Sequence, residues 1–186
     1  MDLTGRDEQG DRVVGLAVDL VNLRTRLGPA PLDAATLERF LLDHGEPPPV
    51  RLDRRDADAI AAVEAELAAV FDAPDADAAA RRVNRLLARA DTRPRLSDHD
   101  GTPWHLHLTG EDASWASWLA ANTGLGLARL LAEDGVARVG RCAAPSCRRV
   151  FAGGLRNHPR RYCSAACGNA ARVAAFRSRR QERRHR

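Results

Sequence analysis

Every cysteine of this chain lies within RCAAPSCRRVFAGGLRNHPRRYCSAACGNAARVAAFRSRR, residues 141–180, and the spacing is Cys142-x4-Cys147-x15-Cys163-x3-Cys167. Two close pairs separated by a loop of this length can meet around one tetrahedral Zn2+ through four thiolates. Zinc suits the task because it binds soft sulfur strongly and asks for little geometry beyond the tetrahedron. Four thiolates leave such an ion no position for water, so the expected site holds one structural Zn2+ and does no catalysis. His158 is an alternative ligand, and disulfide pairing is the alternative use of the thiols. A cytoplasmic chain argues against disulfides. That location is expected because the opening residues MDLTGRDEQGDR lack the apolar core of a secretion signal.

The ligands need elements to hold them. CAAPSC carries Pro145 at its centre and reads as a knuckle, while Ser164 can cap a helix that begins at Ala165 and runs into the tail. Between them, Val150–Phe151 and Arg161–Tyr162 are expected to form a short hairpin turning near Gly153-Gly154. Knuckle, hairpin and helix in that order predict a treble-clef-like finger whose folding free energy comes largely from the metal. Phe151, Tyr162, Val173 and Phe176 are the expected contents of its small core.

The finger is also where the positive charge sits. Residues 138–186 hold 14 Arg and one acid, Glu182, whereas the remaining 137 residues hold 15 Arg and 24 acids. These balances, +13 and −9, are built without a single lysine. A basic segment attached to an acidic body predicts a polyanion partner for that segment. Arg160, Arg161, Arg172, Arg177, Arg179, Arg180, Arg183 and Arg184 are the candidate nucleic-acid contacts. Arginines on a helix can pair with DNA phosphates, releasing counterions, and can reach guanine edges in the major groove. RNA is the alternative partner, with Tyr162 or Phe176 stacking on a base. A merely solubilising tail is the plainer reading of the same charge.

RRYCSAACGNAARVAAFRSRR, with its lead-in RCAAPSCRRVF, resembles the CGNR zinc-finger signature. The preceding residues, including AVDLVNLR, resemble the ABATE domain that accompanies it. The resemblance implies a bacterial, stress-linked transcription regulator, and it implies Cys142, Cys147, Cys163 and Cys167 as the zinc ligands. Two positions depart from the pattern. Ala170 stands where the signature ends in arginine, with Arg172 the nearest substitute, and Gly153 stands where an acid often follows the phenylalanine.

The fold class expected is mainly α with a small β-hairpin: a helical domain over 1–137 and the finger over 138–186. Leu37, Phe40 and Leu41 mark one amphipathic helix capped by Asp33; Ile60, Val63, Leu67, Val70 and Phe71 mark a second, stopped by Pro74. Val83, Leu86 and Leu87 mark a third, and Trp115, Trp118, Leu119, Leu127, Leu130 and Leu131 a fourth, weakened by Gly124 and Gly126. Between Pro94 and Thr109 the period drops to two and Asp100-Gly101 signals a turn, which predicts a hairpin. The GEPPPV run, 45–50, is a stiff connector.

Asp19, Asn22, Trp104, His105, Trp115 and Trp118 are the candidate lining of a small-molecule pocket in a body that would sense an effector or form a homodimer. For Asp19 and Asn22 the plainer reading is a capping or solvated pair, for the tryptophans burial in the core, and for His105 and His107 an exposed strand face. No nucleophile, base and orienting group can be assembled from Asp19, His105 and His107, so the chain is expected not to be an enzyme. The longest uncharged stretch, Ala113–Ala128, is broken by polar residues, so no membrane partner is expected.

Overall fold

The computed structural model describes residues 8–90, 92–98, 104–110, 112–153 and 160–184. Among these the chain is mainly helical, with two small antiparallel hairpins. The body is built from α1 (Glu8–Leu27), α2 (Ala34–Asp43), α3 (Arg54–Phe71), α4 (Ala76–Arg89) and α5 (Trp115–Asp134). Side chains start four of the helices. Asp33, Asp75 and Ser114 each accept from the backbone N–H three residues on, and Asp53 forms a reciprocal capping box with Asp56.

The apolar stripes read from the sequence face one core. Leu37, Phe40 and Leu41 of α2 meet Ile60, Leu67, Val70 and Phe71 of α3, with Val83 and Leu86 of α4 and Leu119 and Leu127 of α5. Helix α5 packs on α4, α1 and α3 together. Its glycines are also contact points. A Cβ at Gly124 would lie 2.9 Å from Leu87 Cδ2, and one at Gly126 only 2.5 Å from Val13 Cγ2. Glu64 of α3 is buried and accepts from Arg24 of α1 at 3.3 Å. Burial pushes its carboxyl above the ordinary range, and Arg24 pulls it back part of the way. Arg82 of α4 donates to the Ala69 carbonyl and Arg89 pairs with Glu66, tying α4 to α3.

The first hairpin falls where the change of period puts it. Strand β1 (Arg95–Ser97) pairs with β2 (His105–His107), Leu96 opposite Leu106. Its expected turn at Asp100-Gly101 lies outside the described residues. Trp104 is 66% exposed, so it is no part of the core. His105 and His107 are half-buried rather than exposed, their Nε2 atoms 2.8 Å apart.

The second hairpin differs from the expected one. After α5 a single 3-10 turn, Val136–Arg138, leads into β3 (Val139–Arg141), which pairs with β4 (Val150–Ala152). The partner of Val150–Phe151 is therefore the strand before the first cysteine pair. Arg161 instead holds the knuckle, its carbonyl accepting from Ala143 N at 2.8 Å. Helix α6 (Ala165–Arg184) completes the chain. Among the described residues no helix is long and apolar enough to cross a membrane.

Candidate metal centre and arginine helix

The knuckle between β3 and β4 carries the first two cysteines. Cys147 N donates to Ala144 O at 2.9 Å and Cys142 N to Arg149 O at 2.9 Å, closing it. Cys163 lies just before α6 and Cys167 in its first turn, where Ser164 Oγ accepts from Cys167 N at 3.2 Å. Glycine follows because the ring of Tyr162 lies close: a Cβ at Gly168 would come within 3.3 Å of Tyr162 Cδ2.

These elements bring all four sulfurs within 4.8 Å of one another. Cys147 and Cys163 are 3.7 Å apart and Cys163 and Cys167 are 3.6 Å apart. A tetrahedron of sulfurs about 2.3 Å from zinc has edges of about 3.8 Å, so the donor set fits the ion. Cys142, Cys147, Cys163 and Cys167 form a zinc-binding group of the structural kind, in agreement with the expected ligands. His158 lies outside the described residues.

The four thiols perturb one another's ionisation. Burial pushes the Cys163 thiol up to about 12, and its three thiol neighbours add to the shift. Burial also opposes ionisation of Cys147, but hydrogen bonds from the Arg149 side chain and backbone outweigh it and bring this thiol to about 6. Cys167 is held low chiefly by its hydrogen bond with Ser164. One thiolate is thus favoured and its neighbour suppressed; a divalent ion removes that conflict by accepting all four. Arg149, 3.8 Å from Cys167 Sγ, offsets part of the remaining negative charge.

The finger has little interior of its own and borrows the body's. Val150 and Phe151 are buried, and Val150 belongs to the core that α1 and α3 build. Val173 and Phe176, expected inside the finger, are 49% and 60% exposed. Helix α6 carries both side chains partly open to solvent. Burial of Val150 and Phe151 contributes at most about 3–6 kcal/mol. Two polar contacts fix the docking. The Asn22 side chain bonds the backbone of Val150 in both directions, and Arg141 grips Asp72 at the end of α3 through two bonds of 2.7 Å. Asn22 is 8% exposed, so it is neither a cap nor solvated.

The candidate nucleic-acid arginines separate into two groups. Arg160 lies over the Phe151 ring and donates to the carbonyls of Tyr162, Ala152 and Cys163. Arg161 is exposed, 5.9 Å from the Tyr162 ring. Arg172 donates to Asn169 one turn below it, and Arg177, Arg179 and Arg180 are exposed on α6; Arg183 and Arg184 continue the helix. At 20 residues, α6 is about 30 Å long. Ala170 is exposed near its start.

The candidate pocket residues do not converge on one place. Asp19 and Asn22 line a cavity of about 430 Å3 between α1 and the finger, with Arg138, Phe151 and Arg160. Asp19 also lines a second cavity, about 590 Å3, with Trp118. Trp115 stacks edge-on against Trp118 at 5.7 Å, while Trp104 and His105 belong to the first hairpin. Sequence reasoning missed Arg141, Arg149 and Asp72 because each acts on a partner distant in the chain or on a thiol cluster not yet folded.

No curated protein sequence matches the chain. A family model does match its C-terminal region: residues 138–180, from the buried Arg138 to the exposed Arg180 of α6, are similar to the CGNR zinc finger.

Proposed function

We propose that the chain is a DNA-binding transcription regulator in which the structural zinc site holds α6 against DNA. The observation that carries this reading is the exposure of every side chain from Arg172 to Gln181 on a helix rooted in the metal cluster. Arg172, Arg179 and Arg180 lie on one side of α6 by helical spacing, with Phe176 among them. Guanidinium groups there suit phosphates and guanine edges. The zinc ion, when bound, fixes the four thiolates and does no chemistry. The helical body, which resembles the ABATE domain, is read as the sensing or dimerising half, and no catalytic role is assigned to the chain.

Salt dependence tests this. Five or six phosphate contacts give a log–log slope of affinity against salt of about −5, and a flat dependence would overturn the proposal. Cys163→Ser should lose both zinc and DNA binding; a variant with unchanged zinc content would refute the ligand assignment. The exposure of Phe176 favours a second reading, single-stranded or structured RNA, on which that ring would stack. Direct competition between duplex DNA and structured RNA separates the two.

A further inference from the structure

The cavity of about 590 Å3 opens between the first half of α1, the end of α2 with the segment after it, and the first half of α5. This volume is in the range of small-molecule sites. Three carboxylates line it, Asp19, Asp43 and Glu46, against the single guanidinium of Arg12, and Trp118 with Val13 and Leu16 supplies apolar wall. Arg12 is already engaged, its Nη2 donating to the His44 carbonyl at 3.2 Å. His44 is engaged as well, its ring nitrogens facing the Phe40 carbonyl at 2.7 Å and Asp19 Oδ2 at 3.2 Å. Glu46 is partly buried, and that burial pushes its carboxyl above the ordinary range despite Arg12. Among the described lining residues three carboxylates thus face one guanidinium, and only Asp19 has a histidine beside it.

A metal ion does not suit it. Among the described residues, the groups of His, Cys, Asp and Glu close enough to share a metal comprise the four cysteines, not these carboxylates. Carboxylates spread around an aromatic wall match a larger cation, one whose charge is met at several points and whose carbon atoms pack on an indole.

We propose that this cavity binds a small organic ammonium ion, its charge held by Glu46, Asp43 and Asp19 and its carbon skeleton packed on Trp118. Asp19 stands one turn before Asn22 on α1, so the residue facing the ligand and the residue holding the finger share one helical segment. Only that consequence for the finger rests on the sensing role given to the body.

The test is a titration of the full-length, zinc-loaded protein without nucleic acid, followed by tryptophan fluorescence and calorimetry at constant ionic strength. The probes are putrescine and choline, each beside its uncharged counterpart, 1,4-butanediol and 3,3-dimethylbutan-1-ol. At least one ammonium should saturate, with its neutral counterpart at least tenfold weaker. Glu46→Gln and Asp43→Asn should each weaken it severalfold, and Asp58→Asn, on the exposed side of α3, should not. No saturation by about 10 mM, equal binding of the neutral counterpart, or indifference to both cavity variants would overturn the proposal. Because the titration contains no DNA, its failure leaves the reading of α6 standing, and a failure of DNA binding leaves the cavity standing.

Discussion

Asn22 of α1 and Val150 of β4, 128 positions apart in sequence, are joined by two hydrogen bonds: the Asn22 amide donates to Val150 O at 3.1 Å and accepts from Val150 N at 2.8 Å. The side chain behaves as one residue of a missing neighbouring strand. It satisfies the backbone of β4 on the side where the small sheet ends, inside a core that excludes water. Helix and finger are thereby fixed in register as well as in contact.

Asn22→Ala should destabilise the protein by about 2–4 kcal/mol, because it leaves a buried N–H and a buried carbonyl without partners. Asn22→Asp should also destabilise, since it keeps an acceptor for Val150 N but offers no donor and buries a charge. Denaturant unfolding monitored by tryptophan fluorescence measures both. A loss below about 0.5 kcal/mol for the alanine variant would show that the pair does not hold the finger.

The two groups of arginines should separate experimentally. Arg160→Ala removes donors from three finger carbonyls and should speed zinc loss to a chelator by about a hundredfold, since each lost bond is worth about 1 kcal/mol. Arg179→Ala, on the exposed helix, should leave zinc retention and melting temperature unchanged and reduce the DNA salt slope by about 1. Equal effects of both variants on zinc loss would contradict the division.

Glu46 predicts a pH effect with a definite sign. Its carboxyl is held above the ordinary 4.5 by burial, so the folded protein binds that proton more tightly than the unfolded chain. Its contribution is fully present below the unfolded value and declines as pH rises through the raised one. Glutamine cannot ionise. Glu46→Gln should therefore melt at a higher temperature than the parent at pH 8, with the gap narrowing towards pH 5; a gap that widens on acidification would reverse the assignment.

Gly126→Ala should cost about 1–3 kcal/mol, the range for overpacking, because the new methyl would meet Val13 Cγ2 at 2.5 Å. Val13→Ala in the same chain should recover much of that loss by vacating the space. Additive rather than compensating losses in the double variant would place the strain elsewhere.

The metal centre was legible because its signal is local and chemical. Four cysteines at that spacing mean nearly the same thing in any fold, and a capping residue such as Asp33 acts within one turn of itself. Asn22 was illegible because its partner is brought to it only by the tertiary fold. The pairing of β3 with β4 was missed for a related reason: the partner of β4 is chosen by the knuckle between the two strands and not by a pattern within either. Val173 and Phe176 misled because an apolar residue on a helix looks the same whether it meets a core or a partner. Trp104 misled in the same way.

Helix α6 has one further consequence, which concerns how such a protein can change over generations. From Arg172 to Gln181 its side chains are exposed, so substitutions there meet no packing penalty and disturb no thiolate. The four cysteines, Gly168, Val150 and Phe151 have no such freedom, since they must close a tetrahedron, admit the Tyr162 ring and fit β4 into the body. Innovation and conservation are therefore assigned to adjoining stretches of one short region. A lineage can re-aim its outer helix, residue by residue, while inheriting the fold intact.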